Sequence, residues 1–126
     1  MWDPLRNKEV ADTPEEKVRQ WFIATLAGAG YPMGLMGSEV QLRFGKKRLR
    51  ADIVVYDRSG SPAAIVECKR PEVKINASVA SQALLYHASS PVRFIFLTNG
   101  ESTYIYKRTE DGFKAVGSLP AYEEML

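Results

Sequence analysis

Three ionisable residues stand at the ends of two short runs that are otherwise apolar. Asp52 opens the run Ile53–Tyr56, and Glu67 and Lys69 close the run Ala63–Val66. Between the runs, Asp57-Arg58-Ser59-Gly60-Ser61-Pro62 is dense in turn formers, so the two predict an antiparallel hairpin with a longer loop. Side chains alternate along a strand, so Glu67 and Lys69 share a face with Cys68 on the other, and closing the hairpin puts Asp52 across from them. Carboxylates held that close repel, and a divalent cation is the usual reason to hold them so. The Cys68 carbonyl completes an oxygen-rich shell of the kind Mg²⁺ prefers, with Mn²⁺ as a substitute: about six oxygens at roughly 2.0–2.1 Å, several from water. Such an ion acidifies a bound water and neutralises charge on a phosphate. Lys69 is placed to orient that water or to stabilise the crowded phosphate. The arrangement suits phosphodiester hydrolysis. A structural cluster of ion pairs is the plainer alternative. It predicts that Asp52→Ala is strongly destabilising, whereas carboxylate repulsion predicts unchanged or higher stability.

The elements that must position these residues follow from the rest of the chain. Thr13-Pro14-Glu15-Glu16 is a helix start, with Thr13 as N-cap, Pro14 at the first helical position and Glu16 closing a capping box. Val18, Phe22, Thr25, Leu26 and Ala29 recur at helical spacing, and Gly28 or Gly30 ends the helix. Residues 1–12 lack periodicity and are expected to form an extended or partly ordered arm, leaving 13–126 as a single domain. A glycine-rich connection from Tyr31 to Gly37 leads into Glu39–Phe44, which alternates as a strand should, and Gly45-Lys46-Lys47 turns into the strand of Asp52. Arg43, Lys46, Lys47, Arg48 and Arg50 make this hairpin basic; it either grips a phosphate backbone or is a solvated tip. Pro71 ends the strand of Lys69. Ala77–Ala88 predicts a second helix, with Val79, Ala83 and Tyr86 on one side and Leu84 and Leu85 widening the apolar face. Gln82 and Tyr86, four apart, share a face, a spacing that also suits plain packing with a surface amide. His87 is the only histidine and is expected to be exposed or packed rather than catalytic. Val92–Leu97 predicts a strand buried on both faces, Tyr104–Lys107 and Gly112–Val116 an edge hairpin, and the tail after Pro120 a short helix or a frayed end.

The length of 126 residues fits one domain, and 45% hydrophobic residues are enough to build one core. Seventeen basic residues stand against fifteen acidic ones, so any affinity for nucleic acid must be local rather than a property of net charge. A single cysteine excludes an internal disulfide and, with one histidine, leaves no zinc constellation. A reducing cytoplasm is the natural compartment for such a chain. Met1-Trp2-Asp3-Pro4 is neither a signal peptide nor an anchor, and no apolar run spans a bilayer, so no membrane partner is expected. No phosphate-binding G-x-x-x-x-G-K-[ST] loop occurs, so no ATP-driven motor lies within these residues.

Asp52, followed at a distance by Glu67-Cys68-Lys69, resembles the signature of the PD-(D/E)xK nuclease superfamily, with Ala51 where a proline often precedes the aspartate. Arg50-Ala51-Asp52-Ile53-Val54-Val55-Tyr56-Asp57 and Ile65-Val66-Glu67-Cys68-Lys69-Arg70-Pro71 are similar to the N-terminal nuclease domain of type I restriction enzyme motor (R) subunits. Gln82-Ala83-Leu84-Leu85-Tyr86 matches the Q-x-x-x-Y motif of that branch and of RecB-like recombination nucleases. Leu97-Thr98-Asn99-Gly100 with Tyr104-Ile105-Tyr106 resembles the branch's closing strands, so the resemblance runs from Thr13 to Lys107. It implies an α/β fold with a restriction-endonuclease-like αβββαβ core, a mixed central sheet flanked by helices. It also implies Mg²⁺-dependent hydrolysis of DNA. Asp52, Glu67 and the Cys68 carbonyl would hold the metal, Lys69 would assist the attacking water, and Gln82 would bond to the scissile phosphate or a metal water. Tyr86 would shape the edge of the site, and Lys46, Lys47, Arg48, Arg50 and Arg70 would bind the substrate. In the family manner Glu16 or Glu39 would also reach the metal. The competing readings are the capping box for Glu16 and, for Glu39, a pair with a lysine of the opposing strand. A chain this small would need a second copy or restriction–modification subunits to hold DNA and cut both strands. No recognition helix is evident, so backbone contacts with little sequence preference are expected. The alternative is a non-catalytic nuclease-fold module that binds nucleic acid or a protein partner.

Overall fold

Thr13 caps the first helix as its residue type predicts: Oγ1 accepts the Glu16 N–H at 3.1 Å, and Pro14 opens α1 (Pro14–Gly28). The computed structural model describes residues 1–125. The capping box is one-sided. The Thr13 N–H donates to Ala11 O at 3.0 Å, so the Glu16 carboxylate is left to other partners. The buried line of α1 is Val18, Arg19, Phe22, Ile23 and Leu26. Ile23 takes the place expected of Thr25, whose hydroxyl donates to Trp21 O at 2.8 Å within the helix. Gly30 then supplies the left-handed turn (φ 94°) that ends the element.

Past a 3₁₀ turn at Met33–Leu35, the chain forms β3 (Met36–Phe44), β4 (Lys47–Tyr56) and β5 (Pro62–Cys68), an antiparallel meander. The loop between β4 and β5 is held by Asp57, whose Oδ1 accepts from the Ser59 and Ser61 N–H groups, with Gly60 at φ 88°. Helix α2 (Ala77–His87) crosses over to β6 (Phe94–Thr98), which pairs parallel with β5. Antiparallel β7 (Thr103–Thr109) and β8 (Gly112–Val116) finish a six-stranded mixed sheet in the order β3-β4-β5-β6-β7-β8. From α1 onward, the expected helix, three strands, helix, strands is therefore the observed order.

Alternation sorts the core into two faces. Ile53, Val55, Val66, Phe94 and Phe96 meet Val18, Phe22, Ile23 and Leu26 of α1, whereas Val54, Ile65 and Ile95 meet Leu84 of α2. On α2 the buried line is Ala83 and His87, four apart, rather than Val79, Ala83 and Tyr86. Leu85 is 75% exposed and Tyr86 45% exposed, because the helix turns its His87 side to the sheet. The tail makes a 3₁₀ turn at Tyr122–Met125, and Tyr122 donates its hydroxyl to Tyr56 O at 2.8 Å. Leu126 lies outside the described residues.

The first residues are built around one buried carboxylate. A short antiparallel pair, β1 (Trp2–Asp3) and β2 (Lys8–Glu9), encloses Asp3, which accepts from the Leu5 N–H at 2.7 Å, the Arg6 N–H at 3.1 Å and Arg6 Nε at 2.5 Å. Such an Asp-centred turn leaves no periodic signal in the sequence. No helix among the described residues is long and apolar enough to cross a membrane.

Candidate active site

The β4–β5 ladder ends at Ile53↔Val66, one step short of Asp52 and Glu67, so the two strands part where their carboxylates stand. Into that opening faces a cleft of about 470 Å³ lined by Glu15, Glu39, Arg50, Asp52, Glu67, Cys68, Lys69, Arg70, Val73 and Tyr86. The hairpin context thus gathers the acidic pair and the lysine into one space.

Each carboxylate is held by a different helix layer. Asp52 Oδ1 accepts from Arg19 Nη2 of α1 at 3.1 Å, and its Oδ2 accepts from the Cys68 N–H of β5 at 2.7 Å. Glu67 Oε1 lies 3.2 Å from Nε2 of His87 at the end of α2, and Oε2 lies 3.5 Å from Lys69 Nζ. Glu67 is held below the usual carboxylate range, chiefly by the hydrogen bond from His87, with burial opposing and Lys69 assisting. Neither carboxylate is therefore left to repel the other uncompensated, as reading the strands alone had implied.

Arg19 is the hub of this network and is only 4% exposed. Besides Asp52, its guanidinium donates to Glu16 Oε1 at 2.5 Å and to Glu39 Oε1 at 3.0 Å. Burial disfavours its charge, but the bond to Asp52 and the charges of Asp52, Glu16 and Glu39 outweigh that and keep it protonated. Glu16 also accepts from Arg6 Nη2 at 2.7 Å, so charge alternates from Asp3 through Arg6, Glu16 and Arg19 to Asp52. Arg19 was not among the candidates from sequence. The one available signal was its place beside Val18, Phe22 and Ile23, three residues after Glu16 on the same helix.

Glu39 faces Asp52 across β3 and β4, between the pairs Ser38↔Ile53 and Val40↔Ala51, yet stands off the ladder at φ 54°. That left-handed conformation costs a non-glycine residue on the order of 1–2 kcal/mol. It delivers the carboxylate to two arginines, Arg19 and Arg50, rather than to a lysine of the opposing strand. Burial pushes the Glu39 carboxyl up, but Arg50 and Arg19 prevail and hold it below the usual range. Glu39 lines both the cleft and the adjoining cavity, whereas Glu16, with Arg6 and Arg19, lines the adjoining cavity alone.

The remaining candidates divide by place. Tyr86 accepts the Arg50 N–H on its hydroxyl at 3.1 Å and so ties α2 to β4. Gln82 sits with Glu67, Lys69 and Tyr86 in a smaller cavity of about 300 Å³ beside the cleft. Arg50 and Arg70 line the cleft itself, while Lys46, Lys47 and Arg48 are exposed at the β3–β4 tip and do not. Cys68 is buried, and burial first, then the Asp52 charge, pushes its thiol well above the usual value; its main chain, not its sulfur, serves the cleft. Among the described residues, no group of three or more His, Cys, Asp or Glu side chains is arranged to hold a metal. Asp52, Glu67 and the Cys68 carbonyl would offer a hard divalent ion oxygen donors only, the kind it takes.

The family model described as "Type I restriction enzyme R protein N terminus" matches residues 14–120. The chain belongs to that family. Among solved structures, a fragment of a candidate HsdR subunit of a type I restriction enzyme from Vibrio vulnificus is similar over 93% of this chain and 25% of its own, at 18% identity and a TM-score of 0.65. This chain thus spans a quarter of that fragment's length. A candidate nuclease of the DUF820 group from Anabaena variabilis is similar over 95% of this chain and 79% of its own, at 12% identity and a TM-score of 0.57. At such identities the likeness shows the fold, which is the restriction-endonuclease-like α/β arrangement expected from the sequence. No curated protein is significantly similar in sequence.

Proposed function

We propose that this domain is a Mg²⁺-dependent nuclease acting on DNA. The observation that carries the reading is the convergence of Asp52, Glu67 and Lys69 on one cleft with Arg50 and Arg70 at its wall, in a member of the type I restriction R N-terminal family. Asp52, Glu67 and the Cys68 carbonyl would hold the ion, which supplies an acidified water and neutralises charge on the phosphate. Arg50 and Arg70 draw the phosphodiester into the cleft, and binding there is to the backbone, without base readout. Lys69, kept beside Glu67, orients the attacking water and donates a hydrogen bond toward the developing phosphate charge. Gln82 bonds to a phosphate oxygen from the cavity next door, and Tyr86 fixes the distance between α2 and β4. DNA is the partner this implies, with restriction–modification subunits as the assembly in which such domains work and the cytoplasm as the compartment.

The test is incubation of the purified protein with linear duplex, single-stranded and branched DNA in Mg²⁺ or Mn²⁺, beside Lys69→Ala. Metal-dependent cleavage that falls on the order of 10²–10³-fold in the variant supports the reading. Equal residual cleavage in both proteins points to a contaminant and sinks it.

One observation favours a second reading, a nuclease-fold module that binds without cutting. Both Asp52 oxygens already have partners, Arg19 and the Cys68 N–H, and an ion must share or displace the first. Under that reading DNA binds with the same affinity in EDTA as in Mg²⁺.

A further inference from the structure

His87 is the only histidine of the chain and is fully buried. It closes the C-terminal turn of α2, and its carbonyl accepts the Ser90 N–H at 3.0 Å and the Ser90 hydroxyl at 2.7 Å, which fixes the backbone it hangs from. The Tyr86 ring meets the imidazole edge-on, with centroids 4.7 Å apart. Nε2 lies 3.2 Å from Glu67 Oε1, and Nδ1, equally buried, has no hydrogen-bond partner among the described residues. A carboxylate only accepts, so Nε2 carries the proton and donates it. Leaving a ring nitrogen unpaired in the interior is unfavourable. The imidazole is therefore held in place by its surroundings for the sake of one bond, that to Glu67.

We propose that His87 is a positioning residue, whose Nε2–H fixes the Glu67 carboxylate in the orientation in which it accepts a divalent cation. The inference rests on the nuclease reading of the cleft. It assigns Glu67 a division of labour: Oε1 is committed to His87, and Oε2, beside Lys69, would be the oxygen left to hold the ion. Hydrogen bonds of this kind behind a metal ligand typically change affinity by about 10–100-fold.

The experiment is Mg²⁺ titration by calorimetry of the wild type, His87→Gln and His87→Phe, each checked for folding by circular dichroism. Gln keeps an N–H near the Nε2 position, while Phe fills the space without a donor. The expected result is binding at least about tenfold weaker in His87→Phe and largely recovered in His87→Gln. A folded His87→Phe that binds Mg²⁺ as the wild type does overturns the inference and leaves the nuclease reading standing. Absence of Mg²⁺ binding by the wild type, with DNA present, overturns both. Should the Phe variant fail to fold, imidazole ¹⁵N spectra of the wild type decide, since a single histidine makes assignment unambiguous. An Nε2-protonated ring whose signals move on saturation with Mg²⁺ supports the inference; a ring protonated at Nδ1, or signals that stay put, overturns it.

Discussion

Arg19 of α1 and Asp52 of β4, 33 residues apart in sequence, meet with Nη2 3.1 Å from Oδ1. The contact neutralises the carboxylate on which metal binding is proposed to depend. Removing either partner therefore tests structure and function together. Arg19→Ala strands Glu16, Glu39 and Asp52 around a vanished charge, and a loss of about 3 kcal/mol in urea denaturation is expected. A loss under 1 kcal/mol would show that solvent already screens the network.

Asp52→Asn keeps an acceptor for the Cys68 N–H, so it is expected to cost only about 1–2 kcal/mol while removing the heat of Mg²⁺ binding. Carboxylate repulsion relieved by substitution would instead raise stability, which the pairing of both Asp52 oxygens argues against. Undiminished Mg²⁺ binding by the variant would move the ion elsewhere.

Asp3 contributes to the response to acid, beside Glu39 and Glu67, which are lowered as well. Burial pushes the Asp3 carboxyl up, but the side-chain bond from Arg6, then the Arg6 and Leu5 N–H groups, bring it from 3.8 down to about 2. A depressed carboxyl stabilises the fold fully above its unfolded value and ceases to as pH falls through the folded one. The contribution, about 2 kcal/mol, should be present above roughly pH 4 and vanish toward pH 2. Wild type and Asp3→Asn should thus differ by that amount at pH 7 and converge near pH 2. Parallel curves down to pH 2 would refute the assignment.

Lys46, Lys47 and Arg48 stand in solvent beyond the cleft. Replacing all three by alanine should leave stability within about 0.5 kcal/mol, weaken DNA binding and flatten its salt dependence by up to ~0.9 in slope per lost phosphate contact. An unchanged slope would make the tip a merely solvated turn.

Gly100 sits at φ 89°, and a Cβ added there would lie 3.3 Å from Val18 Cγ2. Gly100→Ala combines backbone strain with crowding of α1 and should cost about 1–2 kcal/mol in thermal melts. No change would mean that the turn after β6 relaxes.

What could be foreseen from sequence was whatever periodicity and turn chemistry encode locally. Thr13-Pro14, the alternation through Asp52 and the turn formers around Gly60 each act over a few residues, and the element order followed from them. The cleft's partners did not, because they are tertiary. Arg19 resembles an ordinary polar helix residue until Glu39 and Asp52 arrive from the sheet. Glu39 occupies a left-handed conformation in mid-strand that no local rule assigns to glutamate. On α2 the apolar residues Leu85 and Tyr86 outweighed His87 in any hydropathy reading, although the histidine is the one that is buried, because Glu67 waits for it across the layer.

The position of Cys68 has a practical consequence. It is the only thiol in the chain, is 3% exposed, and its own N–H is bonded to Asp52. Its side chain lies in the core between the sheet and α1, so a thiol-specific reagent reaches it only when that packing opens, and the labelling rate is a clock for that event. If the cleft binds a divalent ion and DNA as proposed, each should slow the clock. Without any added fluorophore or engineered label, the unmodified chain reports how often its own core opens.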